Sequence, residues 1–473
     1  MANSHAIESH MQNNDPTKIP VAVVMVPPPA QGHLNQLLHL CRLVSAYDIP
    51  VHFVGTATHN RQAQTLVHGW DPQTVANIKF HDLESSGSNP LQDPDSFKCP
   101  TFMVPLLKSS MELRPLVYNF VGKLSATVGK VVVIYDSMIP YVVQDICSVP
   151  NAKSYCFQSI SAFSLYSFSR ELEGQADFPP EAPIVKEVPS FEGCYEPDIL
   201  EFSKFQNEIP KSNSGDLYNT SRVIESLYLD LLAKEKITGT DKNWAIGPFN
   251  PVSLPKKDDS VNRHKSLDWL DKQELNSVIF VCFGGSSLFS YEQIKEIAFG
   301  LERSEQKFIW KLSDADKGGI FAGKDRKADL PEGFEERIQG RGIIVRDWAP
   351  QLEILGHPST GGFISHCGWN SCMESISMGV PIATWPIHFD QPRNAFLVTR
   401  VLKIGVELKD WERRDEVISS DRVEKAVRTL LDSAEGDEIR KRATELGDAV
   451  KKSMMEGGVT RKEMDSFIAH MSK

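Results

Sequence analysis

The sequence alternates between short, uninterrupted apolar runs and longer stretches in which apolar residues recur at helical spacing. Four such runs lie in the first part of the chain: VAVVMV (21–26), VHFVG (51–55), IKFHDL (78–83) and VVVIYD (131–136). An apolar run without polar alternation is typical of a strand that is buried on both faces. After the first run, apolar residues from Leu34 to Val44 repeat with the period of a helix. This rhythm predicts a doubly wound parallel sheet.

The same rhythm restarts in the second half of the chain. Its apolar runs are VIFVCFGG (278–285), KFIWKLS (307–313), GIIVRDW (342–348), GGFISH (361–366) and PIATWP (381–386). A Pro-rich, charged and aperiodic segment, residues 247–265, separates the two series and is the best candidate for a linker. We therefore expect two Rossmann-like α/β domains that face each other across a cleft, over 1–246 and 266–455. A last helix over 456–473 can pack back on the first domain.

Composition and charge restrict the class of protein. At 473 residues the chain is too long for one ordinary core, and its 41% hydrophobic and 24% charged residues are those of a soluble globular protein. The net charge of −11 argues against nucleic acid or an anionic membrane as a partner. The N-terminal segment is polar, no apolar run reaches membrane-spanning length, and the eight cysteines form no CxxC pair. We expect a cytoplasmic monomer that acts on small molecules.

The stretch GGFISHCGWNSCMESISMG (361–379) changes from a β-prone run to a helix start within a few residues. Ligands of doubly wound sheets bind beyond the carboxyl ends of the strands, and His366 stands at such an end. Asn370 and Ser371 open the next helix, whose free N–H groups and positive dipole end suit an anionic phosphate. Gly368 lets a ligand approach the backbone closely, and His366 can donate a further hydrogen bond. The stretch therefore predicts a diphosphate cradle.

The wider segment WAPQLEILGHPSTGGFISHCGWNSCMESISMGVPIATWPIHFDQ (348–391) resembles the signature box of plant UDP-sugar-dependent glycosyltransferases. The resemblance covers nearly the whole chain and looks closest to the zeatin O-glucosyltransferases and their O-xylosyltransferase relatives. It implies a GT-B fold and a set of binding roles. The residues implied for the uridine diphosphate are Trp348, Ala349, Gln351, His366, Gly368, Asn370, Ser371 and Glu374. Those implied for the sugar are Trp369, Asp390 and Gln391.

The implied roles agree with side-chain chemistry. A planar indole at Trp348 suits a pyrimidine, and the Glu374 carboxylate suits the vicinal diol of a ribose. One position departs from the family pattern, because Gly285 stands where Ser or Thr usually follows Phe-Gly. The hydroxyl that contacts phosphate is then expected from Ser286 or Ser287.

Topology brings a second pair of residues together. His33 lies just after the first strand, and Asp136 ends the fourth. In the commonest doubly wound order the first strand lies beside the fourth, about 4.8 Å away. The two side chains can then be within hydrogen-bond reach, which suits a general base oriented by a carboxylate. The family resemblance assigns the same two residues to catalysis, and a single displacement by an acceptor hydroxyl inverts the anomeric centre.

The acceptor is expected to contact loops of the first domain near residues 84–105, 157–165 and 186–210. We predict that an apolar pocket there is lined by four aromatic residues, Phe102, Phe157, Phe163 and Phe202. Such a pocket fits zeatin, a planar adenine with a hydroxylated tail, so O-glucosylation of a zeatin-type cytokinin is the expected reaction. Flavonoids and other phenols fit as well, through oxygen or carbon, and O-xylosylation is an alternative.

The last residue of the signature segment, Gln391, indicates which donor sugar is used. In the resemblance, a Gln at the position of Gln391 goes with glucose, whereas a His favours galactose. A planar amide can donate and accept at once, and can thus bridge two adjacent equatorial hydroxyls, with Asp390 accepting from a neighbour. UDP-glucose is therefore the expected co-substrate.

No metal or cofactor is expected, because the helix N-terminus and His366 already face the diphosphate. The triplets DPD (93–95) and DAD (314–316) resemble the metal-binding DxD of other glycosyltransferases. Two other classes stay open. Gly285 favours a UDP-sugar-binding protein without turnover, which the presence of His33 and Asp136 disfavours. A nucleotide-sugar epimerase or dehydrogenase is disfavoured because the turn after the first strand lacks GxGxxG.

Overall fold

The computed structural model describes residues 19–66, 75–84, 103–174, 187–210, 212–254, 263–284, 289–312 and 330–473. Within these ranges the strands form two sheets, and the pairings in both are parallel. The first sheet consists of β1 (Ile19–Val26), β2 (Val51–Gly55), β3 (Ile78–Asp82), β4 (Val128–Asp136), β5 (Ala152–Gln158), β6 (Asp216–Tyr218) and β7 (Asn243–Ala245). The second consists of β8 (Val278–Cys282), β9 (Lys307–Lys311), β10 (Gly342–Val345), β11 (Thr360–Ser365), β12 (Ile382–Thr384) and β13 (Gly405–Glu407).

Helices cover both sheets. Those of the first half are α1 (Gln31–Ser45), α2 (Ala57–Leu66), α3 (Met103–Ser110), α4 (Leu113–Ser125), α5 (Pro140–Val143), α6 (Ala162–Leu172), α7 (Pro197–Asn207) and α8 (Arg222–Lys234). Those of the second half are α9 (Lys265–Leu270), α10 (Tyr291–Arg303), α11 (Phe334–Arg337), α12 (Gln351–Leu355), α13 (Trp369–Met378), α14 (Gln391–Phe396), α15 (Ser420–Leu431), α16 (Ala434–Met454) and α17 (Val459–Ser472). Over the described ranges, none of them combines the length and the apolar character that a membrane crossing requires.

The strand orders are those of two doubly wound units. The first sheet runs β3-β2-β1-β4-β5-β6-β7 and the second β10-β9-β8-β11-β12-β13. In the first sheet β1 lies directly beside β4, with Val26 opposite Tyr135. The predicted fold class and the predicted neighbours are therefore confirmed.

Several strands were not predicted from the sequence. The run AKSYCFQ of β5 mixes Lys, Ser and Gln with its apolar residues, so it carries no continuous apolar signal. The strands β6, β7 and β13 each have three residues, which is too short for any periodicity to be read. The predicted run 278–285 is strand only as far as Cys282.

The core explains why these runs become strands. All of Val21 to Val26 is buried, because helices cover both faces of β1. On one face, Leu34 and Leu37 of α1 pack in the same cluster as Met25. On the other face, Val117 of α4 packs in the same cluster as Val24. Residues that alternate along β1 thus enter two different apolar layers, as parallel sheets require.

The last helix returns to the first sheet. Side chains of α17, Met464, Phe467 and Met471, are buried in the cluster that contains Met25. The ring of Phe467 meets Tyr155 of β5 edge to face, at 5.3 Å between centroids. The last helix of the chain is therefore part of the core of the first domain.

Candidate active site

His33 and Asp136 meet at the carboxyl ends of β1 and β4. His33 is the third residue of α1, which begins five residues after β1 ends, and Asp136 is the last residue of β4. Nδ1 of His33 lies 2.8 Å from Oδ2 of Asp136. The side chain of Asp136 is fully buried, and its Oδ1 accepts a hydrogen bond from the backbone N–H of Met138 at 2.9 Å. The contact predicted from strand order is present.

The hydrogen-bond network assigns the tautomer of His33. A carboxylate can only accept, so Nδ1 carries the proton and Nε2 is left as the acceptor. Burial lowers the pKa of His33, but the charges of Asp136 and, further away, Asp390 together with the hydrogen bond to Asp136 outweigh it. The pKa of His33 is therefore above its ordinary value of 6.5.

A cavity of about 620 Å³ separates His33 from the second domain. Residues of both domains line it. The members from the first domain include Gly32, His33, Leu106, Met138, Leu165, Phe168, Tyr195, Ile199 and Leu200. Those from the second include Gly284, Gln351, His366, Gly368, Trp369, Asn370, Ser371, Glu374, Phe389, Asp390 and Gln391. Most of the predicted binding residues are thus brought together around one space.

His366 lies between two glycines that leave room for its ring. A Cβ added at Gly368 would lie 2.6 Å from Nε2 of His366, and one added at Gly284 would lie 2.9 Å from the same atom. Nδ1 is buried and has no hydrogen-bond partner among the described residues. Burial and, to a smaller extent, His388 lower the pKa of His366 to about 3. His366 is therefore neutral at pH 7 and can offer a hydrogen bond without a charge.

The start of α13 makes contacts across the cleft. Nδ2 of Asn370 donates to the backbone oxygen of Gly32 at 2.9 Å, next to His33 in the chain. Nε1 of Trp369 donates to the backbone oxygen of Asn219 at 2.9 Å. These two contacts fix the N-terminal end of α13 relative to the first domain.

On the other side of α13, an amide and a carboxylate form a small polar group. Nε2 of Gln351 donates to Oε2 of Glu374 at 2.6 Å and to Oγ of Ser371 at 3.1 Å. Burial raises the pKa of Glu374 to about 7, although the hydrogen bond from Gln351 lowers it. The indole of Trp348 is 70% exposed, lies perpendicular to the ring of His264, and is not part of the cavity wall. Ala349 packs against an apolar cluster that contains residues of both domains.

Gln391 is held by its own loop. Its Oε1 accepts from the backbone N–H groups of Ile387 at 2.9 Å and His388 at 3.0 Å, and Nε2 lies 3.0 Å from Nδ1 of His388. The carbonyl oxygen therefore has both lone pairs in use. This differs from the predicted amide that donates and accepts at once: Gln391 has only an N–H to offer a ligand.

The predicted aromatic acceptor pocket requires correction. Phe157 packs on Phe249 in the core of the first domain, at 5.5 Å between ring centroids. Phe163 is fully buried and stacks on Phe396 at 5.9 Å, and Phe202 is also buried and absent from the cavity wall. Phe157 points into the core because side chains alternate between the two faces of β5. Phe163 and Phe202 do so because they lie on the buried faces of α6 and α7. Phe168, Tyr195 and Phe389 supply the aromatic wall instead.

Some predicted residues cannot be placed. Phe102, Ser286 and the two acidic triplets, 93–95 and 314–316, lie outside the described residues. Where the structure describes the chain, no three His, Cys, Asp or Glu side chains group as metal ligands would.

Two buried amides of the site were missed in the sequence. Asn219 presents its backbone oxygen to Trp369, and Asn394 donates from Nδ2 to Oδ2 of Asp390 at 2.7 Å. For Asn394 a signal existed, because it follows Asp390 by four residues at a helix start, where side chains one turn apart meet. For Asn219, which acts through its backbone, the sequence carries no such signal.

Comparisons with known proteins identify the family of the chain. A model described as glycosyltransferase, N-terminal domain, matches residues 19–251, and a model described as UDP-glucoronosyl and UDP-glucosyl transferase matches residues 268–442. The chain is 51% identical to zeatin O-glucosyltransferase of Phaseolus lunatus, over 97% of this chain and 98% of that protein. It is 50% identical to zeatin O-xylosyltransferase of Phaseolus vulgaris, over 98% of this chain and 100% of that protein. UGT2 of Phytolacca americana, solved with UDP-2fluoro-glucose and pterostilbene, superposes with a TM-score of 0.75 at 26% identity, over 96% of this chain and 100% of that one.

Proposed function

Since the chain belongs to the UDP-glycosyltransferases, we propose that it transfers glucose from UDP-glucose to a hydroxyl of a small, mainly apolar acceptor of the zeatin type. The observation that carries the proposal is the 2.8 Å contact of His33 with Asp136, at a cavity whose opposite wall is the N-terminal end of α13. A base that is oriented by a buried carboxylate has a use in transfer and none in binding alone. The enzyme works in the cytoplasm, as a monomer and without a cofactor.

The proposed reaction is a single displacement. Nε2 of His33 takes the proton of the acceptor hydroxyl as its oxygen attacks the anomeric carbon, and Asp136 stabilises the imidazolium that forms. The bond between the anomeric carbon and the diphosphate breaks on the opposite face, so the configuration inverts. The departing UDP gains negative charge at the N-terminal end of α13, where free N–H groups and the helix dipole stabilise it. Neutral His366 adds a hydrogen bond at the same place.

The uridine end would be held by the group around Gln351. Glu374 accepts from the ribose hydroxyls, Ser371 adds a hydroxyl, and the exposed face of Trp348 stacks on the uracil. Ala349 lies next to that indole in the chain. Support comes from the contacts that already orient Glu374 and Ser371 through one amide. The side chain that contacts phosphate in place of Gly285 is Ser286 in this proposal.

The acceptor would lie with its hydroxyl at His33 and its apolar body between α6 and α7. Support comes from the apolar lining by Leu165, Phe168 and Leu200 and from the names of two relatives that are about half identical to this chain. The test is an acceptor screen with UDP-glucose and UDP-xylose, read by mass spectrometry, with zeatin, a flavonoid and a simple phenol as acceptors. Transfer to the phenols but not to zeatin would overturn the acceptor class, and transfer only from UDP-xylose would overturn the donor.

Gly368→Ala tests the diphosphate cradle. The added methyl would lie 2.6 Å from Nε2 of His366, so the imidazole must leave the position in which it is proposed to meet the diphosphate. Since overpacking costs about 1–3 kcal/mol, and 1.4 kcal/mol is a factor of about ten, we expect the Kd for UDP to rise about tenfold or more. Calorimetry measures it. Gly122→Ala is the control, because in the described structure nothing lies within 4 Å of the new methyl there. Equal UDP affinity in both variants would contradict the cradle.

Gln391→Ala tests sugar discrimination. Galactose has one axial hydroxyl where glucose has an equatorial one, so either the Gln391 N–H or the Asp390 carboxylate would lose its partner. A buried polar group without a partner costs about 1–3 kcal/mol. The kcat/KM should therefore favour UDP-glucose over UDP-galactose by about ten- to a hundredfold. The substitution is expected to reduce that ratio, since it removes the remaining N–H and frees the backbone of Ile387 and His388 from their shared acceptor. UDP-xylose, which lacks only the hydroxymethyl group, is discriminated weakly in both proteins.

The control for this test is Gln351→Ala, which lies on the uridine side and should lower kcat/KM for every donor by one factor. A glucose-to-galactose ratio that is the same in wild type and Gln391→Ala would show that Gln391 does not read the sugar.

Chelation tests the metal-free mechanism. The N-terminal end of α13 and the neutral imidazole of His366 stabilise the leaving diphosphate, so EDTA should leave kcat unchanged. A loss of activity that added Mn²⁺ or Mg²⁺ restores would contradict this mechanism and implicate the acidic triplets at 93–95 and 314–316.

A further inference from the structure

The side chain of Asn394 joins three parts of the site. It is fully buried in α14, and its Nδ2 donates to Oδ2 of Asp390 at 2.7 Å and to the backbone oxygen of Cys367 at 2.9 Å. Its Oδ1 accepts from the hydroxyls of Ser161 and Ser164, each at 2.9 Å. Both N–H bonds of the amide are therefore used. Its oxygen is held by the two serines, whose hydroxyls also lie 2.7 Å apart and share two protons among three contacts. The acceptors on one side of the amide and the hydroxyls on the other assign its orientation.

Each partner has a distinct place in the molecule. Asp390 is on the cavity wall opposite His33. Cys367 has a φ of 63°, in the turn between His366 and Gly368 that precedes α13. The two hydroxyls belong to the first domain, where Ser161 caps the N-terminus of α6 through the backbone N–H of Ser164. One amide thus connects the carboxylate at the cavity, the turn before the donor helix and the opposite domain.

We propose that Asn394 is a positioning residue for sugar recognition. Its hydrogen bond holds Asp390 ionised and oriented toward the donor sugar, while Ser161 and Ser164 hold Asn394 in that orientation. Recognition of the sugar by the second domain then depends on contact with the first domain. This inference rests on the proposed function, since it takes a UDP-sugar as the ligand of the cavity.

The charge balance at Asp390 supports the inference. Burial raises the pKa of Asp390 to about 6, and the hydrogen bond from Asn394, a backbone hydrogen bond and the charge of His33 act in the opposite direction. Tyr195, Cys194 and Cys372 also face this carboxyl. Without the amide, the pKa of Asp390 rises further. The carboxylate, and with it the affinity for the sugar, is then lost at a higher pH than in the wild type.

The experiment compares the Kd for UDP-glucose with the Kd for UDP, by calorimetry between about pH 5.5 and 8.5. The variants are Asn394→Ala and the double variant Ser161→Ala/Ser164→Ala, which removes both hydroxyls at Asn394. At each pH the ratio of the two constants is compared with that of the wild type, so that titration of UDP itself cancels. Because a hydrogen bond to a charged group is stronger than one between neutral groups, we expect Asn394→Ala to raise the ratio about tenfold at pH 7. The rise should begin at a higher pH than in the wild type. The double variant Ser161→Ala/Ser164→Ala should raise the ratio about threefold, since it removes both hydroxyls from the amide oxygen but leaves the amide bonded to Asp390.

Thr399→Ala is the matched control. Its hydroxyl lies one turn further along the same stretch of chain and donates only to the backbone oxygen of Ala395 among the described residues. It should leave the ratio unchanged.

Two outcomes would overturn the inference. If Asn394→Ala weakened UDP and UDP-glucose by the same factor, the residue would only support the turn at Cys367. If the double variant Ser161→Ala/Ser164→Ala left the ratio unchanged, the first domain would have no part in orienting Asp390. A wild-type protein that turns over no UDP-glucose would instead refute the proposed function, so the two failures are distinguishable.

Discussion

His33→Ala is expected to lower kcat by about 10²–10⁴-fold, the usual contribution of a general base. The affinity for UDP should stay within about twofold, because the imidazole faces the acceptor and the diphosphate lies against α13. Single-turnover rates and calorimetry with UDP measure the two quantities. The reason is the geometry of the pair: with Nδ1 held by Asp136, Nε2 is the one nitrogen that can take the proton.

His33→Gln is the matched variant for that experiment. Its amide can still donate to Asp136 and fills most of the same volume, but it cannot accept a proton at pH 7. It should lose as much activity as the alanine variant. A glutamine variant that retained most of its turnover on an aliphatic alcohol would show that His33 serves packing or orientation rather than proton transfer.

Asp136→Asn is expected to change both the height and the position of the pH–rate profile. The base must be neutral to act, and in the wild type the pKa of His33 is above 6.5, so activity rises with pH through the neutral range. Removing the charge of Asp136 leaves burial as the main influence, which lowers the pKa of His33. The acid limb of the profile should therefore move to lower pH.

The plateau of the same profile should fall by about 10²-fold or more, because the asparagine amide can hold the wrong tautomer of the imidazole. Measurement of kcat/KM for the acceptor across pH tests both effects. If the acid limb does not move, the titrating group is not His33 but another group, such as Asp390, whose own pKa is about 6. A lower melting temperature with an unchanged rate would make Asp136 structural.

The parts of this site that depend on strand order could be predicted from the sequence. Continuous apolar runs identify β1 and β4, and the handedness and order rules of doubly wound sheets then place His33 beside Asp136. The same rules place the turn after β11 at the ligand-binding edge of the second sheet. These inferences need only the backbone path, which hydrophobic periodicity determines well.

The parts that depend on side-chain partners could not be predicted. Nothing in the sequence shows that Oε1 of Gln391 is taken by two backbone N–H groups, because that depends on the path of a loop. The ring of Phe163 was expected at the acceptor and lies in the core, since the pattern of α6 alone does not show which of its faces meets the second domain. The spacing of Asn394 from Asp390 could have been read, but its two serine partners could not, because they come from a segment more than two hundred residues earlier.

The position of α17 has a consequence for how the protein is made. Translation delivers β1 to β7 first, and domains generally begin to fold in that order during synthesis. Met464, Phe467 and Met471, however, complete the core against the first sheet, and the ribosome produces them only after the whole second sheet. The nascent first domain must therefore wait with part of its apolar surface uncovered while the second domain folds beside it. An early stop codon that removes only α17 would therefore destabilise the first domain, which is synthesised first, although the deleted helix lies at the other end of the sequence.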